Sequence, residues 1–447
     1  MASSHWPLLL GVLSLASGGA PEDPCAIKAK DAALEPRCVY RAPGGEAPDG
    51  EASAPPATDR RVWELSAANA RFALSLYRRV ALGRSAASNV FLSPLGVSAA
   101  FSATKLAACG RTLEELVKVL ELDSLAPRTS AQAHFYLAKL LCRLQRKKDA
   151  GAELAVATRL FGDRSLRFDA AFQNISRRVY GAEMMSLDLR GEPEASRDAI
   201  NAWVANKTAN KIRDALPAGA IGADAVLVLV NSIYFKGRWL QQFREEDSYV
   251  APFHVDARRR CSVRMMFQEN SFRYARLPAR GLRLLELDYR GRDLGLTLLL
   301  PDQGRSLAQV EAELDLPTLN AWLERMAETR VSVHLPRFRL EDGVRLKEAL
   351  AALGLRDIFS PQNASLPGLL DGSGGGVFIS DAFHQTFLEV NELGSEAAAS
   401  SAAVASGRSV ELDAEVLRAD RPFLLLIREK SVGAVLFAGR VASPCQP

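Results

Sequence analysis

None of the six cysteines in this 447-residue chain forms a C-x-x-C pair, so zinc ribbons and dithiol redox centres find no support. Histidine is scarce: His5, His134, His254, His334 and His384 are all there is, and none stands in an H-E-x-x-H. A G-x-S-x-G elbow and a G-x-x-x-x-G-K-[ST] loop are both missing, which removes the commonest hydrolase and nucleotide-binding signatures. Gly372 to Gly376 is glycine-rich but lacks the strand-to-helix context that cradles phosphate. Neither catalytic residues nor a metal site is predicted. Beyond the N-terminus no apolar run reaches bilayer length without charges, so membrane insertion is not expected. The net charge of +4 is mild, so any anion-binding role must come from clustering.

Two local absences are more informative. Acids are missing from Ser124 to Lys148, where Arg128, Lys139, Arg143, Arg146, Lys147 and Lys148 fall. On a helix, Lys139, Arg143, Arg146 and Lys147 share one face. Like charges so placed repel by a few tenths of a kcal/mol per pair, which leaves a polyanion site or a merely solvated face. Arg60, Arg61 and Trp63, with Lys28 and Lys30 of the tail, extend the patch if the tail lies beside that helix. Secretion and the lack of a stacking platform argue against nucleic acid.

Proline is missing from Asn391 to Arg421. Within this span Asn391 to Val410 is nearly all Ala, Ser and Gly, too small to build a core, so an exposed segment is expected. A flexible linker is one reading. The other is a latent strand: Ser395, Ala397, Ala399, Ser401 and Ala403 share one face at period two, and strand-like runs flank the tract. Gly407–Arg408–Ser409 offers a basic side chain that a trypsin-like protease would cut.

About half the residues are apolar, enough for a sizeable core. The run Trp6–Leu15, followed by small residues, reads as a secretory signal cleaved after Gly18 or Gly19. In an oxidising compartment the cysteines suggest three disulfides, with fifteen pairings open. Asn174, Asn206 and Asn363 head glycosylation sequons. Helical spacing appears over Trp63–Ala81, Leu113–Leu122, Ala131–Lys148, Glu194–Thr208 and Leu307–Met326. Strands are expected at Leu154–Phe161, Val226–Phe235, Leu282–Asp288, Leu294–Pro301, Val331–Phe338, Phe423–Glu429 and Ala434–Val441. Without a βαβ rhythm this predicts an α+β fold. The expected organisation is a signal over 1–19, an extended tail over 20–57 and one domain over 58–447.

Asn231–Ser232–Ile233–Tyr234–Phe235–Lys236–Gly237–Arg238–Trp239, Asp381–Ala382–Phe383–His384 leading into Glu389–Val390–Asn391, Arg421–Pro422–Phe423, Phe437–Ala438–Gly439–Arg440–Val441 and Asn89 to Pro94 together resemble the serpins. The resemblance implies three β-sheets, about nine helices and an exposed reactive loop over 391–420. It implies a suicide-substrate inhibitor of serine proteases, not an enzyme, with Arg408–Ser409 as the reactive bond. Gly394, Ser395, Glu396, Ala397, Ala398 and Ala399 would be the hinge that slides into a sheet. Serpins that do not inhibit carry a bulky, charged or proline-containing hinge, and here only Glu396 is of that kind.

Within the family the basic helix and the tail resemble the heparin-activated inhibitors of clotting proteases. That likeness implies thrombin and activated factors X and IX as partners, heparin or heparan sulfate as the activating polysaccharide, and no other cofactor. The implied heparin contacts are Lys28, Lys30, Arg60, Arg61, Trp63, Arg128, Lys139, Arg143, Arg146 and Lys147. The implied disulfides are Cys25–Cys142, Cys38–Cys109 and Cys261–Cys445. A secreted plasma monomer, glycosylated at Asn174, Asn206 and Asn363, is the expected form. The chain also departs from the pattern. Asp149 stands where the glycan nearest the heparin site is expected. Phe267 replaces an exosite tyrosine beside the retained Glu269, and Ala414 replaces an exosite arginine. Leu393 replaces a hinge acid, and Gly96 a serine in the region that gates the sheet.

Overall fold

The computed structural model describes residues 36–40, 60–125, 130–145, 152–372, 376–395 and 414–445. Nine α-helices are present among them. A six-stranded sheet runs in the order Phe338–Arg345, Asp381–Asn391, Gly394–Ser395, Leu227–Arg238, Ala152–Asp163, Glu183–Leu187. The strands Asp381–Asn391 and Leu227–Arg238 are buried on both faces nearly throughout, which covering on both sides requires. Alternation sends Leu229, Ile233, Ala382 and Leu388 into the main core. The intervening Val230, Tyr234, Phe383 and Phe387 join a second core with Ile200 and Val204 of the helix Pro193–Lys207.

The remaining nine strands form one hydrogen-bonded sheet. The long strand Arg260–Leu277 belongs to two groups in it. Met265–Tyr274 pairs with Ala327–Pro336, and Arg273–Leu277 pairs with Leu282–Asp288. The three sheets implied by the resemblance are thus bonded as two, the smaller pair sharing this one strand. Glu415–Arg418 adds parallel to Val331–His334 at the edge.

Two expected elements are corrected. Leu307–Met326 is two helices, Leu307–Glu313 and Leu316–Glu324. Asp315 caps the second by accepting from Thr318 N at 2.8 Å, with Pro317 in its first turn, and both features start a new helix more readily than they continue an old one. The strand expected at Val331–Phe338 stops at Pro336, and a separate strand begins at Phe338. The strand Arg260–Leu277 has no clear periodic signal, since polar residues interrupt it; the helix Ala170–Tyr180, unexpected too, does place Phe172, Ile175, Val179 and Tyr180 at helical spacing.

Cys38–Cys109 and Cys261–Cys445 are disulfides spanning 71 and 184 residues. Cys142 is disulfide-bonded as well; Cys25 lies outside the described residues. Arg37 N donates to Leu106 O at 3.0 Å, so the described piece of tail is fixed beside the helix Gly110–Val119. No described helix is long and apolar enough to cross a membrane.

Candidate functional site: a half-seated hinge and a basic helix

Asp381–Asn391 and Leu227–Arg238 pair directly and in parallel from Asp381↔Val228 to Phe387↔Tyr234. Beyond that point the two strands part. The chain turns at Glu392–Leu393 and returns between them, with Ser395 opposite Val390 and Gly237, and Gly394 opposite Asn391 and Arg238. The first two hinge residues are therefore already part of the sheet. Glu396, Ala397, Ala398, Ala399, Arg408 and Ser409 lie outside the described residues. The loop assigned to 391–420 is fixed at both ends, by this insertion and by Glu415–Arg418.

The turn is held by neighbours remote in sequence. Asn391 Oδ1 accepts from Leu393 N at 3.1 Å and Gly394 N at 3.2 Å. Trp239 Nε1 donates to Asn391 O at 3.0 Å, and its backbone N donates to Leu393 O. Glu392 is buried; its carboxylate accepts from Ser248 Oγ at 2.9 Å and Arg264 Nε at 3.3 Å, with Arg337 Nη1 at 3.8 Å. Ser395 is fully buried and its Oγ lies 2.7 Å from Tyr289 OH. Tyr289 stacks on Trp239 at 4.6 Å between ring centroids, and burial raises its phenol well above the ordinary range. Only glycine fits at 394. Its φ is +152°, and a Cβ would overlap the Gly237 carbonyl oxygen and stand 2.7 Å from Arg238 Cα.

Below the insertion a polar latch crosses the parallel pair. Ser93 N donates to His384 Nε2 at 2.8 Å, and His384 Nδ1 lies 2.8 Å from Asn231 Oδ1. Because Nε2 accepts, Nδ1 carries the proton and donates to the Asn231 oxygen. Asn231 Nδ2 continues to Thr158 Oγ1 at 2.6 Å. His384 is the hydrogen-bonded core histidine that its apolar neighbours suggest, and burial lowers its pKa to about 4. At Gly96 a Cβ would overlap Ile233 Cδ1 and stand 2.8 Å from Asn231 Oδ1. Ile233 fills the space where a serine would sit.

The basic helix is Ser130–Gln145. Leu137, Leu140 and Leu144 are buried while Lys139 is exposed, so the apolar and basic faces are opposed. Arg143 is one turn further along the backbone; Lys28, Lys30, Arg128, Arg146, Lys147 and Asp149 lie outside the described residues. Arg60, Arg61 and Trp63 open the helix Arg60–Leu82, which packs on the basic helix. Arg60 Nε meets Glu64 Oε1 at 2.9 Å, an exposed pair of small energetic value. Under the basic helix His134 Nε2 lies 3.2 Å from Lys105 Nζ, and its Nδ1 is bonded to Tyr180 OH. Burial brings Lys105 down to about 8.

Phe267 and Glu269 sit on the strand Arg260–Leu277. The Phe267 ring lies 4.9 Å from His334, whose Nδ1 is 2.7 Å from Tyr249 OH. Glu269 is bound by Arg330 Nε and Ser332 Oγ, each at 2.9 Å, and these hydrogen bonds hold its carboxyl below the usual range. Asn174, Asn206 and Asn363 are all exposed. The roles of Trp239, Tyr289 and Glu392 are invisible along the chain, because their partners are 50 or more residues away.

Gly394 and Ser395 thus lie between two parting strands of the six-stranded sheet, above the hydrogen-bonded His384. The chain belongs to the serpin (serine protease inhibitor) family, whose model matches residues 67–444. It is 47% identical to Antithrombin-III of Mus musculus, covering 98% of this chain and 95% of that one. It is likewise 47% identical to Antithrombin-III of Homo sapiens, covering 96% and 92%. Among solved structures it resembles human thyroxine-binding globulin, with a TM-score of 0.78 at 28% identity over 86% of this chain and 100% of the other. Uncleaved ovalbumin superposes with a TM-score of 0.77 at 28% identity, over 85% and 100%.

Proposed function

We propose that the chain is a secreted, heparin-activated inhibitor of clotting proteases that traps thrombin and activated factors X and IX as covalent complexes. The observation that carries this reading is the half-seated hinge. Arg408 enters the acid-bottomed pocket of the target through a charge-assisted contact. The target serine attacks the Arg408 carbonyl, the Arg408–Ser409 bond breaks, and Ser409 leaves as an amine. Each hinge residue that then joins the sheet gains backbone hydrogen bonds worth about 1 kcal/mol net apiece. The acylated protease is carried along before water reaches the ester. Serpin loop insertion is itself among the general examples of strand addition and stored-strain release.

The basic helix, with Lys139 exposed and packed on the helix that Arg60 and Arg61 open, supports binding of heparin or heparan sulfate. Extraction of Gly394–Ser395 from the sheet is the change such binding would favour. Glycans at Asn174, Asn206 and Asn363 and a monomeric plasma form complete the proposal. The test is incubation with thrombin, with and without heparin. An SDS-stable complex forming much faster with heparin is expected; cleaved protein without complex overturns the trap.

The surroundings of Glu269 favour a refinement, a shifted target range. Arg330 and Ser332 occupy its carboxylate, and Phe267 brings no hydroxyl. Rates for thrombin and activated factor X, measured side by side with and without heparin, separate this version from the plain one.

A further inference from the structure

At the far end of the helix Arg60–Leu82 a cavity of about 620 Å³ opens to solvent. The helix Leu307–Glu313 walls one side, and His254–Asp256, Pro301 and Arg421–Pro422 wall the others. Its size is that of a small-molecule site. Arg60 and Arg78 stand eighteen residues apart on one helix, about 27 Å at the helical rise, so the cavity is remote from Arg60 and Arg61.

Five guanidiniums line it, those of Arg78, Arg84, Arg305, Arg421 and Arg440, against two carboxylates, Asp256 and Glu311. Both acids are already engaged. Glu311 takes Arg440 Nη1 at 3.1 and 3.2 Å and Tyr77 OH at 2.6 Å. Asp256 accepts from the backbone N of Arg258 and Arg259 and from Arg259 Nε. Behind the wall Asp342, Glu313 and Asp420 hold Arg84, Arg305 and Arg421. Arg78 is exposed and makes no salt bridge within 4 Å to a described residue, Asp315 being the acid that feels its charge. Arg305 gives Nη2 to Glu313 at 2.8 Å, while its Nη1 is screened from solvent and has no acceptor. Apart from His254 and Ser306 the rest of the lining is apolar, led by Val255, Pro301, Leu307 and Pro422, with Leu82 at the rim and 79% exposed. Leu82 is the most exposed of the large hydrophobic residues described.

We propose that this cavity binds a small amphipathic anion, a single carboxylate or sulfonate on an apolar body. The acid would meet Arg78, and the body would cover Leu82 and Leu307. A polysaccharide would not match, since it has no apolar body to fill the floor. This inference does not depend on the proposed inhibitory function.

The test is calorimetric titration of the full chain with 1-naphthalenesulfonate, and with 2-naphthol as the neutral counterpart. One saturable site per chain is expected, with naphthol at least about tenfold weaker, as loss of a charge-assisted contact implies. Arg78→Glu, a change at an exposed position, should weaken the sulfonate about tenfold. Ala308→Trp, on the exposed rim of the same cavity, should abolish binding. Neither should change the salt at which the protein leaves heparin-agarose. Equal binding of sulfonate and naphthol, or binding untouched by Arg78→Glu, overturns the proposal. So does displacement of the sulfonate by heparin, which would make the cavity part of a polyanion surface. Should Ala308→Trp fail to fold, as circular dichroism would reveal, the Arg78→Glu and naphthol comparisons decide alone.

Discussion

Ser395→Glu tests whether the seated hinge restrains the protein. Ser395 has no solvent exposure, and its hydroxyl has one polar side-chain neighbour, Tyr289 OH at 2.7 Å. An ionised carboxylate there would be taken from water to a site with a single donor, an effective penalty of several kcal/mol. Against this stand the ladder bonds of two residues, each worth about 1 kcal/mol net, and the hydrogen bond to Tyr289. The penalty is the larger, so the hinge should leave the sheet in most molecules. Two readouts follow. Trp239 stacks on Tyr289 and donates to Asn391 O, so intrinsic fluorescence should change on mutation and change little more when heparin is added. The rate of inhibition of activated factor X without heparin should rise towards the heparin-stimulated rate. Heparin affinity should rise with it, because coupling between two sites is reciprocal. Ser395→Ala, which removes only the contact to Tyr289, should move both readouts far less. Unchanged fluorescence and an unchanged basal rate in Ser395→Glu would refute the restraint.

Other outcomes follow from the same geometry. Arg408→Leu should abolish thrombin inhibition while sparing heparin affinity; normal inhibition would show that the reactive bond is misplaced. His384 should make folding acid-sensitive. Its pKa is about 4 in the folded chain and near 6.5 when unfolded, so the unfolded state binds the proton first. Its contribution is complete above pH 6.5 and is lost as pH falls towards 4, by about 3 kcal/mol in all. Denaturant midpoints measured across that window should fall less steeply in His384→Gln. Gly96→Ser should lower stability by about 1–3 kcal/mol through overpacking, and adding Ile233→Val should recover part of it. An unchanged thermal midpoint in Gly96→Ser would show that Ile233 yields freely.

Long periodic elements were legible in the sequence. Leu282–Asp288, Leu294–Pro301 and Phe423–Glu429 have the bounds that alternation and turn residues indicate. The strand Arg260–Leu277 was not, because partner changes along it make its burial irregular. The split at Asp315 was hidden for the opposite reason, since apolar spacing continues across the break while the cap at Asp315 interrupts it. At the site, composition pointed to the hinge and charge spacing to the basic helix, because both are local properties. Whether the hinge is seated could not be read in the same way. Asn391 meets Trp239, Ser395 meets Tyr289 and Glu392 meets Arg264 across separations of 106 to 152 residues. Each such contact is worth about one to a few kcal/mol, and ladder pairing, a buried ion pair and a hydroxyl contact must be weighed against the freedom of a small-residue segment. Ala and Ser lower the cost of both states alike: they slip between strands without steric resistance and leave the sheet without exposing much apolar surface. The position of the balance is therefore set by the clamp residues Trp239, Tyr289 and Glu392, not by the hinge composition, and changes at these three should retune activation more finely than changes within the loop.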